Sequence, residues 1–131
     1  MQDVNALSKV IIGAALEVHR ALGPGLVESV YEEALCHEFH LRGLAFLRQQ
    51  KVAISYKRVK LATPLQLDLL VEGKVIIDVK AKECLTPIDR AQLLTYLKLT
   101  DLRLGLLINF HEIILQKGIR RVVNNLPEEP R

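Results

Sequence analysis

The chain has 131 residues, 50% of them hydrophobic and 25% charged, with three Tyr, three Phe and no Trp. This length suits one compact domain with an aliphatic core that removes about two-thirds of its unfolded surface from water, and it excludes a catalytic domain joined to a separate recognition domain. The net charge of +3 permits a polyanionic partner without demanding one, and two cysteines, Cys36 and Cys84, are too few and too far apart for a disulfide scaffold or a Cys-based zinc site.

Met1 to Asn5 carries no basic residue ahead of an apolar run, so no secretory signal is expected. The longest apolar stretches, Val10 to Leu16 and Leu104 to Ile108, fall far short of the roughly 20 residues that cross a bilayer. A soluble cytoplasmic protein with free thiols and no membrane partner is expected. From Val4 to Leu22, the residues Val4, Leu7, Ile11, Ala14, Ala15, Val18 and Leu22 recur at helical spacing, with Asp3 as cap and Gly23-Pro24-Gly25 as the stop. A second helix is predicted over Leu26 to Arg42, burying Val27, Val30, Tyr31, Ala34, Leu35 and Phe39, with Gly43 as its carboxyl cap.

After Gly43 the period changes to two. Val52, Ile54 and Tyr56 alternate with Lys51, Ala53, Ser55 and Lys57, and Leu65 to Val71 and Lys74 to Ala81 follow as two further strands of a meander. Thr86-Pro87-Ile88-Asp89 supplies an N-cap hydroxyl, a proline at the first helical position and an acid at the third, starting a helix that runs to about Leu99. Leu102 to Phe110 reads as a buried strand, and Glu112 to Gln116 with Ile119 to Val123 as a last hairpin around Lys117-Gly118. Residues 1–123 are expected to form the single domain, and 124–131, with Pro127 and Pro130, a polar tail. Helix, helix, three strands, helix and strand together predict an α/β fold, a mixed sheet flanked by helices.

The alternation over Leu65 to Lys80 fixes which side chains share a face. Leu65, Leu67, Leu69 and Val71 lie on one face of their strand, and Val75, Ile77, Val79 and Ala81 on one face of the next. A two-residue loop would set an apolar face beside a polar one. A three-residue loop, Val71-Glu72-Gly73, makes the apolar faces coincide and pairs Asp68 with Ile76 and Gln66 with Asp78. Asp68 and Asp78 then become diagonal neighbours about 7–8 Å apart, able to converge on one hard cation, with Lys80 on the same face. On spacing alone, a solvated face carrying ordinary ion pairs accounts for these residues equally well.

Asp68 followed across a hairpin by Asp78-Val79-Lys80 resembles the PD-(D/E)xK nuclease superfamily, whose core is helix, three strands, helix, strand. Gly25-Leu-Val-Glu28-Ser-Val-Tyr31 is similar to the GxxExxY signature of a small bacterial family within it, and Gln92-Leu-Leu-Thr-Tyr96 is similar to the QxxxY motif of RecB-like exonucleases. The resemblance runs from about Leu7 to Val123. It implies a restriction-endonuclease-like αβββαβ core, here with an extra N-terminal helix and C-terminal hairpin. Two departures stand out: Asp78 occupies a position where many relatives carry Glu, and Gln66 one where Arg is expected.

The resemblance implies that Asp68 and Asp78 hold Mg²⁺ or Mn²⁺, with Glu28 an outer metal ligand, direct or through water. Lys80 would orient or help deprotonate the attacking water and stabilise developing negative charge. Tyr31 reads as a packing residue that orients Glu28. Gln92 and Tyr96, four apart on one helix, would contact the substrate backbone or Lys80, although an amphipathic helix with Tyr96 as core filler has the same pattern. Lys82 beside the site, Lys57, Arg58 and Lys60 at the meander, and Lys117, Arg120 and Arg121 near the end are candidate phosphate contacts, or solvating charges on strand edges. His37 and His40 lack a third ligand, and none of His19, His37, His40 and His111 is read as a metal site.

The expected function is a metal-dependent nuclease acting on DNA. Two other classes stay open: a non-catalytic nucleic-acid-binding module that keeps the fold, and a protein-interaction module, either a homodimer or a subunit of a larger complex. Few aromatics argue against single-strand binding by base stacking.

Overall fold

A computed structural model describes residues 3–126. Helix α1 (Val4–Leu22) buries Leu7, Ile11, Ala14, Ala15 and Val18, the stripe its period predicts. Asp3 stands at its N-cap without a side-chain capping bond; its carbonyl accepts from the Leu7 N–H at 2.9 Å. Helix α2 (Glu28–Leu41) buries Tyr31, Leu35 and Phe39 of the predicted side, together with Glu32, whereas Val27, which is its N-cap, and Val30 are exposed against expectation. Then come β1 (Phe46–Val52), the two-residue strands β2 (Ser55–Tyr56) and β3 (Val59–Lys60), β4 (Leu65–Val71), β5 (Val75–Lys80), α3 (Pro87–Thr100), β6 (Leu104–Asn109) and β7 (Ile119–Val123).

Five strands form one sheet in the order β1-β4-β5-β6-β7, with β5 and β6 parallel and every other pair antiparallel. The parallel pair sits at the centre and is buried almost throughout, because helices cover both of its faces. On one side Ile77, Val79, Leu106 and Ile108 pack with residues of α1 and α2; on the other Ile76, Leu107 and Val122 pack with Leu93 and Leu97 of α3. The order α2, β1, β4, β5, α3, β6 around this mixed sheet is consistent with a restriction-endonuclease-like fold, with α1 added at the amino end. The start of α3 forms the predicted capping box between Thr86 and Asp89.

Several local expectations are corrected. The first sheet strand is Phe46–Val52, earlier than the alternating stretch Lys51 to Lys57, which instead leads into a separate β2–β3 ribbon. β1 is an edge strand, only partly buried, so its sequence carries no clean alternation. The β4–β5 hairpin pairs Leu69 with Ile77, Leu70 with Ile76 and Val71 with Val75, not Asp68 with Ile76. The loop is Glu72-Gly73-Lys74: Glu72 and Gly73 take positive φ of 54° and 65°, and the Lys74 N–H donates to the Val71 carbonyl at 3.0 Å. Val71 therefore stays in the ladder, fully buried opposite Val75. The shift is even, so the predicted faces survive it.

The C-terminal hairpin is also different. Glu112 to Gln116 is not a strand: a 3₁₀ turn forms over Leu115–Gly118, and β7 pairs with β6 instead. The open edge of a fully buried β6 is a better partner than a short exposed segment in which Ile113 is 87% exposed. Gly118 closes against the end of β6, where an added Cβ would sit 2.5 Å from the Asn109 carbonyl oxygen. Expected to begin the tail, Asn124 is tied down by its N–H to the Arg103 carbonyl at 2.8 Å and by its amide to the Leu102 carbonyl at 3.0 Å. Pro127 and Pro130 lie outside the described residues.

Candidate active site

Four elements meet at the end of the sheet where β4 begins and β5 finishes. Glu28 comes from the first turn of α2, Gln66 and Asp68 from β4, Asp78 and Lys80 from β5, and Gln92 and Tyr96 from α3. Together with Ile76 and Ile77 they line a pocket of about 150 Å³. Glu28, Asp68, Asp78, Lys80, Gln92 and Tyr96, each singled out from the sequence, are thus brought together.

The two aspartates are closer partners than a diagonal pair. Continuing the β4–β5 register beyond Leu69 and Ile77 sets Asp68 opposite Asp78. There the Val79 N–H donates to Asp68 Oδ2 at 2.9 Å, so a side-chain carboxylate acts as an acceptor between the two strands. Asp78 is only 6% exposed, and its Oδ2 is buried without a hydrogen-bond partner. Its Oδ1 lies 3.4 Å from Lys80 Nζ. Burial first, then the neighbouring Asp68, push the Asp78 carboxyl up to about 7 despite the opposing pull of Lys80. Burial acts against the Lys80 ammonium, but Asp78, Asp89 and Glu28 outweigh it and hold that amine above its ordinary value. Lys80 is therefore a fixed cation at neutral pH, suited to donating hydrogen bonds and compensating charge rather than to taking up a proton.

Glu28 joins this group electrostatically. Partial burial first, then the charge of Asp68, raise its carboxyl. Among the described residues no three His, Cys, Asp or Glu side chains stand close enough to form a ready metal cluster. Tyr96 is half-buried, and its phenol is raised by burial first and then by Asp78, so it stays a hydrogen-bond donor.

The neighbouring Tyr31 explains why α2 starts where it does. Fully buried and stacked on Phe110 at 4.6 Å, it donates its hydroxyl to the Gly23 carbonyl at 2.6 Å and accepts from the Leu26 N–H at 3.0 Å. The ring staples the Gly23 to Leu26 loop and so fixes the turn that presents Glu28. Tyr31→Phe keeps the stack but leaves both loop groups without that partner. It is expected to cost about 1–3 kcal/mol, read as a lower urea midpoint at unchanged slope.

Lys82 does not line the pocket. Its ammonium pairs with Asp89 Oδ2 at 2.8 Å, so it braces the start of α3 where substrate contact was expected. Several further residues support the pocket without belonging to any of the motifs. Gln66, noted only as the residue standing where Arg was expected, lines the pocket. Asn109, fully buried at the end of β6, accepts from the Lys82 N–H at 3.1 Å and donates to the Lys82 carbonyl at 2.9 Å, which holds the chain just beyond Lys80. Glu32, one turn after Glu28, accepts from Arg48 Nε and from the Gln49 amide, each at 2.7 Å. Gln49 falls between the Arg48–Leu69 and Gln50–Leu67 pairs of the β1–β4 register and has a φ of 53°. The available signal was a charged Glu32 next to Tyr31 at the margin of the apolar stripe of α2; its partners on β1 are too distant in sequence to be read.

A family model described as the PD-(D/E)XK nuclease superfamily matches residues 5–122. Neither a curated protein nor a solved structure matches the chain. No described helix is long and apolar enough to cross a membrane.

Proposed function

The chain belongs to the PD-(D/E)XK nuclease superfamily, and from that premise we propose that it is a metal-dependent nuclease that hydrolyses phosphodiester bonds of DNA. Membership implies a nucleic-acid substrate, and nucleases of this superfamily generally use divalent metals. The Gly25 to Tyr31 segment further assigns the chain, in this proposal, to the GxxExxY branch. The observation that carries the reading is the meeting of Asp68, Asp78 and Lys80 in one pocket with Glu28, Gln92 and Tyr96 around them.

The donors suit Mg²⁺ or Mn²⁺. Asp78 presents a buried, unpartnered Oδ2, and Asp68 adds a second hard carboxylate beside it. Once bound, such an ion supplies charge neutralisation at the phosphate and a more acidic attacking water. Asp68 and Asp78 are its holders in this proposal, with Glu28 acting through water. Lys80, cationic and at the pocket wall, orients the water by hydrogen bonding and compensates negative charge developing on the phosphoryl oxygens. Gln92, Tyr96 and Gln66 supply neutral donors that position the substrate backbone.

The test uses labelled single- and double-stranded DNA with Mg²⁺, Mn²⁺ or EDTA. Metal-dependent cleavage by the wild type, absent in Asp68→Ala, is the expected result. Cleavage that persists in EDTA or in Asp68→Ala overturns the assignment.

A further inference from the structure

The β2–β3 ribbon stands apart from the sheet and from the pocket. Residues 55–64 are all exposed, and the ribbon's strands pair only with each other, Ser55 with Lys60 and Tyr56 with Val59. A short two-stranded ribbon has little stability of its own, yet this one leaves Tyr56 60% and Val59 61% exposed. Its turn residues are Lys57 and Arg58, both at positive φ, 48° and 70°. Asn-Gly is the pair that such a turn favours, so two long basic side chains hold the tip at a conformational disadvantage.

Charge is concentrated here more sharply than the chain's total suggests. Residues 39–67 contain six Lys and Arg and no Asp or Glu. Arg42 and Arg48 are paired with Glu38 and Glu32 on α2, whereas Lys51, Lys57, Arg58 and Lys60 form no salt bridge among the described residues. Lys57 instead lies over the Tyr56 ring, 5.3 Å from its centroid. The ribbon also leaves the sheet at the pocket's end, because Val52 pairs with Leu65 where β1 stops and β4 begins. Ten residues separate Arg58 from Asp68, which limits their distance to about 35 Å, the length of about one turn of duplex.

We propose that this ribbon is a duplex-gripping arm, in which Lys57, Arg58 and Lys60 hold phosphates about one helical turn or less from the bond placed at Asp68 and Asp78, and Tyr56 and Val59 lie against the groove wall. The inference rests on the nuclease reading and adds a preference for double-stranded DNA over single strands. Binding is set by backbone charge, so it is independent of sequence.

The experiment measures affinity for a 20-base-pair duplex and for its single strand by fluorescence anisotropy across a salt series, with Mg²⁺ present. Lys80→Ala serves as the parent, to suppress cleavage. Two ribbon variants are compared in that background: Lys57→Ala with Arg58→Ala, and Lys57→Asn with Arg58→Gly. The second pair removes the same charges while giving the turn its favoured residues. Both are expected to weaken duplex binding by about tenfold or more and to flatten the salt slope by about 2, with the thermal midpoint of the Asn-Gly variant unchanged or raised. Unchanged duplex affinity and slope in both variants, from a parent that binds, overturn the arm and leave the nuclease reading standing. Loss confined to the single strand overturns the duplex assignment. A parent that binds no nucleic acid, with a wild type that cleaves none, overturns both.

Discussion

Lys80→Ala is expected to lower the rate of DNA cleavage by roughly 10²–10³-fold, the usual cost of removing one preorganised donor that faces developing charge. The ammonium sits 3.4 Å from Asp78 Oδ1 and is held above its ordinary pKa, so the wild-type group stays charged through neutral and mildly alkaline pH. Its removal has a second consequence. Lys80 is the neighbour that lowers the Asp78 carboxyl, and without it Asp78 ionises at a pH above about 7. In the metal-free protein the proton then competes more strongly with Mg²⁺ at Asp78, so the Mg²⁺ concentration for half-maximal cleavage should rise more steeply towards acid pH than in the wild type, a displacement that simple misfolding does not produce. Steady-state rates across a Mg²⁺ series between pH 6 and 9 check both effects. A wild-type rate and Mg²⁺ dependence in the variant would remove Lys80 from the chemistry.

Asp78→Asn is expected to do the opposite to stability of what it does to activity: it should abolish metal-dependent cleavage and stabilise the metal-free protein at pH 8. In the unfolded chain Asp78 ionises near its ordinary 3.8, whereas the folded chain retains the proton up to about 7. Between these values the folded state binds more protons, so stability falls as pH rises through that window. The penalty is absent below about 4 and complete above about 7, with an upper bound of about 4 kcal/mol at pH 8. An amide at this position carries no charge to desolvate and can donate to the adjacent Asp68. Thermal unfolding in EDTA at pH 5 and pH 8 should show the wild type losing stability between the two and the variant holding nearly level. Mg²⁺ should restore wild-type stability at pH 8 and leave the variant unmoved, since only an ion bound to the folded state shifts the equilibrium. A variant less stable than wild type at pH 8 without metal would mean that the buried carboxylate is not under electrostatic load.

The contrast between Lys80 and Lys82 shows how far the site could be read from its residues. Both are basic, both lie at the end of one strand, and local spacing does not separate them. Asp89 does, because the first turn of α3 folds back to within 2.8 Å of the Lys82 ammonium and leaves Lys80 facing Asp78. Tyr31 was legible as a packing residue, but its hydrogen bonds to Gly23 and Leu26 depend on the loop curling over the ring. Asn109 gave no signal at all, since its two bonds to Lys82 span 27 residues. The mild overall charge of +3 likewise concealed an acid-free stretch that projects from the sheet as a ribbon.

By itself the sequence determined the capping box that starts α3, the faces of the β4–β5 hairpin, the carboxylates and amine that one face carries, and the middle of the helical stripes of α1 and α2, though not their ends at Leu22, Val27 and Val30. These follow from periods of 3.6 and 2 and from contacts within a few residues, where neighbours along the chain are also neighbours in space. Only the tertiary structure decided that β1 begins at Phe46, that β7 joins β6, and that the hairpin turns one residue later, setting Asp68 opposite Asp78. It also decided that Glu28, Gln92 and Tyr96 face the same pocket from two different helices. Burial enforces which face of a strand points inward, but choosing a partner strand compares the whole sheet's edges and packing at once, and no local pattern contains that comparison.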